Sequence, residues 1–366
     1  MKKTYLFASL LLTTFAAEAA PTVTRLDQPP EWLVSVDSTL QGRVSRGPAK
    51  GWSYQWPGTY AEIKVTDQDL FFNVGKEPAI LHVFVDGAEV AKVVKPDTGT
   101  WRLSELPHGS HVVRIESASE NQGGPPSFGG FAVRDAKQVG APPARKRQIE
   151  FIGDSHTVGY GNTSGKRECT EDEVWSTTDT SQAFGPLVAK HYDADYQVNA
   201  ISGRGIVRNY GGFKADPLPV VYPYVLFDKA RRYQEAKWKP QVIVIALGTN
   251  DFSTPLNAGD QWKTRDALHA DYETTYLAFL KSLRARNAHA LIVLWATDMA
   301  DGEIAAEERK VADRFVAAGD KQTFFVAVNG LKFTACNWHP SIEDHHGIAD
   351  ALIRIIDEHA KGFASR

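Results

Sequence analysis

Near residue 148 the chain changes rhythm, and that change limits its possible folds more than any other feature. Between residues 34 and 133, short runs suited to β-structure follow one another with turns between them and no convincing helix. Residues 80–85, the pair Asp86-Gly87 and residues 90–94 read as a hairpin, because Asp-Gly suits the positive φ angles of a two-residue turn. Residues 61–65, 70–74, 101–103, 111–115 and 128–133 continue the pattern. Strands so closely spaced predict an all-β sandwich. From residue 149 onward, apolar strands (149–152, 196–200, 241–247, 290–296, 323–328) alternate with helical stretches (183–191, 268–286, 305–318, 343–359). Such alternation predicts a parallel sheet in a three-layer α/β domain. Between the two, residues 136–148 contain Gly140, Pro142, Pro143 and Arg145-Lys146-Arg147, and read as a solvated linker.

The N-terminus reads as an export signal: Lys2 and Lys3, an apolar stretch over residues 5–16, then Ala17-Glu18-Ala19 as a cleavage site. The apolar stretch is short for a membrane span, and no later segment is long and apolar enough for one. The expected divisions are a leader over 1–19, a sandwich over 22–135, the linker over 136–148 and the α/β domain over 149–366. Cleavage near Ala19 would leave a secreted or periplasmic protein. With 366 residues, 43% of them hydrophobic, the chain can bury two cores. Its net charge is −3, and losing Lys2, Lys3 and Glu18 with the leader makes it −4. That near-balance gives no electrostatic reason to expect nucleic acid or an anionic membrane as partner. A neutral polysaccharide is compatible with it, and no protein partner is inferred.

Gly153-Asp154-Ser155-His156-Thr157 follows directly on the strand at 149–152, which puts Ser155 at a strand's carboxyl end, where open α/β sheets present their sites. A serine in such a turn is by itself ordinary turn chemistry. Two further strand ends change the weighing: Gly203 follows the strand ending at Ala200, and Asn250 follows Leu247-Gly248-Thr249. A glycine lets its N–H approach a ligand closely, and an asparagine amide can donate to an oxyanion. Acyl transfer needs a nucleophile, a base and such donors. His339 is the expected base, in the loop before the last helix, with Pro340 at a first helical position and Ser341 and Asp344 as a capping box. His345 and His346 compete for the role from within the helix. The spacing of His339, His345 and His346 matches no standard zinc pattern, so no metal is expected, nor any cofactor. Neither G-x-S-x-G nor H-E-x-x-H occurs.

The two cysteines, Cys169 and Cys336, lie just downstream of the Ser155 turn and three residues before His339. If those loops meet at one site, an exported chain should join them in a disulfide; two buried thiols are the alternative.

Gly153-Asp154-Ser155, Gly203, Gly248-Thr249-Asn250-Asp251 and His339 resemble the four blocks of the SGNH (GDSL-type) hydrolases. The β-rich first half, with Cys336-Asn337-Trp338-His339-Pro340, resembles carbohydrate esterase family 2. The resemblance covers nearly the whole mature chain. It implies a jelly-roll sandwich joined to an SGNH domain, and removal of acetyl groups from plant polysaccharides such as glucomannan or xylan, with preference for the primary 6-hydroxyl. It further implies Ser155 as nucleophile, His339 as proton shuttle, and an oxyanion hole from the Ser155 and Gly203 N–H groups and the Asn250 side chain. His156 stands where many relatives carry an aliphatic residue. The aspartate usually found shortly before the histidine is missing, since positions 336 and 337 are Cys and Asn, which implies a Ser-His dyad. What orients His339 is then a backbone carbonyl or the Asn337 amide, with the backbone favoured. Trp338 is the expected sugar-stacking residue, and Trp52, Tyr54 and Trp56 are a second aromatic group that either lines a cleft or packs in the core. A lipase or thioesterase of the same superfamily, and a binding protein without catalysis, are the competing readings.

Overall fold

The computed structural model describes residues 20–47, 50–76 and 78–364, so the leader read over residues 1–19 lies outside the described residues. The first half consists of two antiparallel sheets. One runs in the order Thr22–Arg25, Gly99–Ser104, Leu70–Val74, Ser127–Val133, Trp52–Tyr54, Val44–Arg46, with Val34–Val36 also on Ser127–Val133. The other runs Val139–Gly140, Tyr60–Val65, His111–Ser117, Ile80–Val85, Ala88–Val94, with Thr39–Gln41 also on Tyr60–Val65. Period-two alternation fills the space between them: Phe72, Phe128, Phe131, Ile63, Val83, Val113 and Ile115 form one buried cluster. The Asp86-Gly87 turn has φ of 51° and 85°, both positive as its composition predicts, and pairs Val85 with Ala88.

The opposite face of the second sheet is also buried, because it lies on the other half of the chain. Tyr60 packs on Tyr196 and donates to Asp195 at 2.9 Å, while Arg114 joins Glu62 at 2.7 Å and reaches the Tyr196 hydroxyl at 3.2 Å. The expected linker takes part in this contact. Val139–Gly140 pairs with the edge of Tyr60–Val65, and Arg145 bonds to Glu62 at 2.7 Å and Asp195 at 3.0 Å. Of the basic triplet only Lys146 is exposed, and Arg147 already belongs to the first parallel strand. Arg145 departs from the solvated reading because it finds its carboxylates far away in sequence.

The second half is a five-stranded parallel sheet in the order Ala194–Ala200, Arg147–Gly153, Val242–Ala246, Leu291–Thr297, Thr323–Val328. Alternate strand residues face two separate cores: Ile243 and Ile245 meet helices Arg265–Arg286 and Glu303–Ala317, while Val242 and Val244 meet Phe184–His191 and Ile342–His359. Helices on both faces make the three layers expected. Ser341 caps the last helix reciprocally with Asp344, so Pro340 precedes the cap rather than occupying the first turn. Trp52, Tyr54 and Trp56 are buried, and the Trp56 indole donates to Val225 O at 2.9 Å. That removes them as a sugar-binding group. Among the described residues no helix is long and apolar enough to cross a membrane.

Candidate active site

Three parallel strands end beside one another, and the residues that follow them converge. Gly153 closes Arg147–Gly153; a Cβ there would lie 2.0 Å from Thr157 Oγ1 and 2.9 Å from Ala246 O, so only glycine fits. Asp154 then caps the single-turn helix Ser155–Val158 by accepting the His156 N–H, and Gly159, with φ of 80°, ends it. Ser155 therefore stands at the first position of a helix over the sheet edge. His339 Nε2 lies 2.9 Å from Ser155 Oγ. Its Nδ1 lies 3.0 Å from Cys336 O and 3.1 Å from Asn337 O, so two backbone carbonyls accept the Nδ1 proton and leave Nε2 unprotonated toward the serine. The Asn337 side chain instead donates to the Tyr160 hydroxyl at 3.4 Å.

The His339 loop has an unusual backbone: Phe333, Asn337 and Trp338 have φ of 48°, 51° and 55° without being glycine. Cross-links hold it in place. Cys336 forms a disulfide with Cys169. The Arg167 guanidinium donates to Phe333 O and Lys332 O at 2.8 and 2.9 Å, and Arg167 O accepts the Asn337 N–H at 2.6 Å. From the last helix, Asp344 accepts the N–H groups of Lys332 and Phe333. His345 is buried with Nδ1 accepting the Phe184 N–H, and His346 is exposed, so neither joins His339 at Ser155.

Gly203 has φ of 81° and lies in the loop after Ala194–Ala200. Neither its N–H nor that of Ser155 is taken by a backbone partner among the described residues. Asn250 Nδ2 lies 3.0 Å from Asp154 Oδ2 and 2.9 Å from Arg204 O, which engages both amide hydrogens. To hold an oxyanion, Asn250 must share or release one of them. Sequence reasoning passed over Asp154 and Asp251 as partners. Asp251 is fully buried and accepts the N–H groups of Ile206, Val207 and Arg208 at 2.8–2.9 Å, which ties the Gly203 loop to the Asn250 turn. The available signal was a carboxylate placed directly after a buried strand, where it needs bonded partners.

Burial dominates the electrostatics. It pushes Asp154 up to about 7, with the charge of Asp251 adding to the effect, and Asp251 itself up to about 6 against its three N–H bonds. It lowers His339 to about 4, partly offset by the two carbonyls, and His156 well below the usual imidazole range. A neutral His339 is the form that can accept the serine proton. Trp338, next to His339 in the chain, is 53% exposed, and Tyr210 and Phe213, from the loop beyond Gly203, are 57% and 43% exposed. The last two have no periodic pattern that would mark them in the sequence.

Both halves of the chain match known families. Residues 40–143 match the carbohydrate esterase 2 N-terminal model, and residues 151–344 match the GDSL-like lipase/acylhydrolase family. An acetylxylan esterase / glucomannan deacetylase of Cellvibrio japonicus is 45% identical over 332 residues, covering 88% of this chain and 92% of that one. The chain belongs to carbohydrate esterase family 2. It is thus a carboxylic ester hydrolase with a GDSL-type catalytic half. Among solved structures, this family 2 esterase is similar to a carbohydrate esterase whose active site displays divergent catalytic and non-catalytic binding functions. That likeness has a TM-score of 0.84 and 42% identity, covering 91% of this chain and 100% of the other. A family two carbohydrate esterase from Clostridium thermocellum in complex with cellohexaose has a TM-score of 0.78 and 26% identity, covering 89% and 100%.

Proposed function

We propose that this esterase removes O-acetyl groups from plant polysaccharides such as glucomannan and xylan, with preference for acetyl on a primary 6-hydroxyl, through a Ser155–His339 dyad. The observation that carries the reading is the 2.9 Å contact between His339 Nε2 and Ser155 Oγ, with Nδ1 already satisfied by backbone. Ser155 Oγ attacks the acetyl carbonyl carbon while its proton passes to Nε2, and the carbonyl oxygen becomes an oxyanion held by the Ser155 and Gly203 N–H groups and Asn250. Collapse breaks the ester bond, and the sugar oxygen leaves with the proton from His339. Water then attacks the acetyl-Ser155 ester by the same base catalysis, releasing acetate and restoring the serine. Trp338, Tyr210 and Phe213 are exposed aromatic residues on which pyranose units can stack. The basic, apolar and small-residue order of residues 1–19 supports action outside the cytoplasm after cleavage near Ala19.

The test is acetate release from acetylated glucomannan and xylan, compared with release of longer acyl groups from the same sugars. Wild type should release acetate and the Ser155→Ala variant nearly none. A preference for long acyl chains would move the protein to the lipase or thioesterase reading, and no release from any ester would make it a binding protein.

A further inference from the structure

Imidazolium formation is the costly moment for this dyad. A Ser-His-Asp triad places a carboxylate on Nδ1, whereas His339 has two uncharged carbonyls there, and among the described residues no carboxylate bonds to it. Burial opposes the charge further, and the neighbouring histidines, His156 of the nucleophile helix and His345 of the last helix, are both held neutral by it. One group does face the ring. The Tyr160 ring lies on the imidazole with centroids 4.3 Å apart and planes at 34°, while His156 meets the same imidazole edge-on at 5.5 Å.

Tyr160 is anchored from both sides. Its N–H, like that of Gly159, bonds to Ser155 O at 3.1 Å, so it extends the turn that carries the nucleophile. Next to it Gly161, with φ of 58°, lies against the disulfide: a Cβ there would be 2.4 Å from Cys336 Cβ. Between these two glycines the tyrosine spans the gap from the serine helix to the histidine loop. Its hydroxyl accepts from the Asn337 amide at the long distance of 3.4 Å, while its ring lies on the His339 imidazole.

We propose that Tyr160 is a positioning residue for His339: its ring fixes the tilt of the imidazole toward Ser155 and stabilises the imidazolium by cation–π attraction, in place of the missing carboxylate. The proposal rests on the dyad reading above. A cation over a ring within about 6 Å gains enough to change a rate by about threefold to thirtyfold, the larger figure when water is excluded.

The experiment measures kcat and KM for acetate release by full-length Tyr160→Phe, Tyr160→Trp, Tyr160→Leu and Tyr160→Met, beside wild type and His339→Ala. Phe and Trp should stay within about threefold of wild type, whereas Leu and Met should lose about tenfold in kcat with KM changed less than twofold. Comparing two aromatic with two aliphatic replacements, each checked by its thermal melt, keeps the test valid if one variant fails to fold. Aliphatic variants as fast as Phe would overturn the proposal, as would a loss confined to KM, which would make Tyr160 a sugar contact. A Phe variant as slow as Leu would overturn it in favour of the hydroxyl. Substantial activity in His339→Ala would instead remove the dyad itself.

Discussion

In the proposed dyad His339 is the base, and its proton affinity is reduced by its own surroundings, burial having lowered it to about 4. The base must be neutral, so protonation removes activity as pH falls through this value, and nothing at His339 limits the rate above it. The acid limb of kcat/KM should lie near 4, or slightly above because water still reaches the half-buried ring, rather than at the 6.5 of a free imidazole. A pH–rate profile with a limb near 6.5 would contradict this. Orientation by backbone makes a second expectation. Asn337→Ala should cost less than about tenfold in kcat/KM, because the accepting carbonyl remains, whereas His339→Ala should cost several orders of magnitude. At the oxyanion, Asn250→Ala should lower kcat by about 10²–10³ with little change in KM. Loss of the Asn250 bond to Asp154 leaves a buried carboxyl without that donor, so the thermal melt of this variant needs to be read beside its kinetics.

At the scale of elements, the disulfide joins the segment after the Ser155 helix to the loop that carries His339, across 167 residues. Replacing both cysteines by serine should lower Tm by about 5 °C or more, and should lower kcat because Phe333, Asn337 and Trp338 would no longer be held at positive φ. An unchanged kcat with a lowered Tm would assign the bond to stability alone. The elements that sequence reasoning recovered are those whose cause is local. Asp86-Gly87 specifies its own turn, Ser341 and Asp344 cap their own helix, and alternating apolar residues declare the strands on which Ser155, Gly203 and Asn250 follow. What it did not recover depends on partners distant in sequence. Arg145 reads as linker charge until Glu62 and Asp195 come to it, and Tyr160, a lone aromatic between glycines, acquires meaning only when His339 arrives 179 positions later. Asp154 looks like a turn residue, and only the folded sheet shows that it meets Asn250.

For the molecule as a whole, the second example of coupling between halves is Arg43, fully buried between strands of the sandwich. Its guanidinium bonds Glu150 of the first parallel strand at 3.1 Å, and Glu150 also accepts from Tyr222 and Asn199 at 2.6 and 2.7 Å. Removing one partner of a buried pair leaves the other uncompensated. Arg43→Met should therefore destabilise by about 3–5 kcal/mol in denaturant unfolding, and adding Glu150→Gln should recover much of that loss. The two halves would then unfold as one unit.

The ionic lining of that contact has a consequence during synthesis. The sandwich leaves the ribosome first and must wait for the strands on which it will rest. Because the waiting face presents Glu62, Arg114 and Glu116 beside Tyr60, water can cover it in the interval, and a half-made chain has less reason to stick to its neighbours.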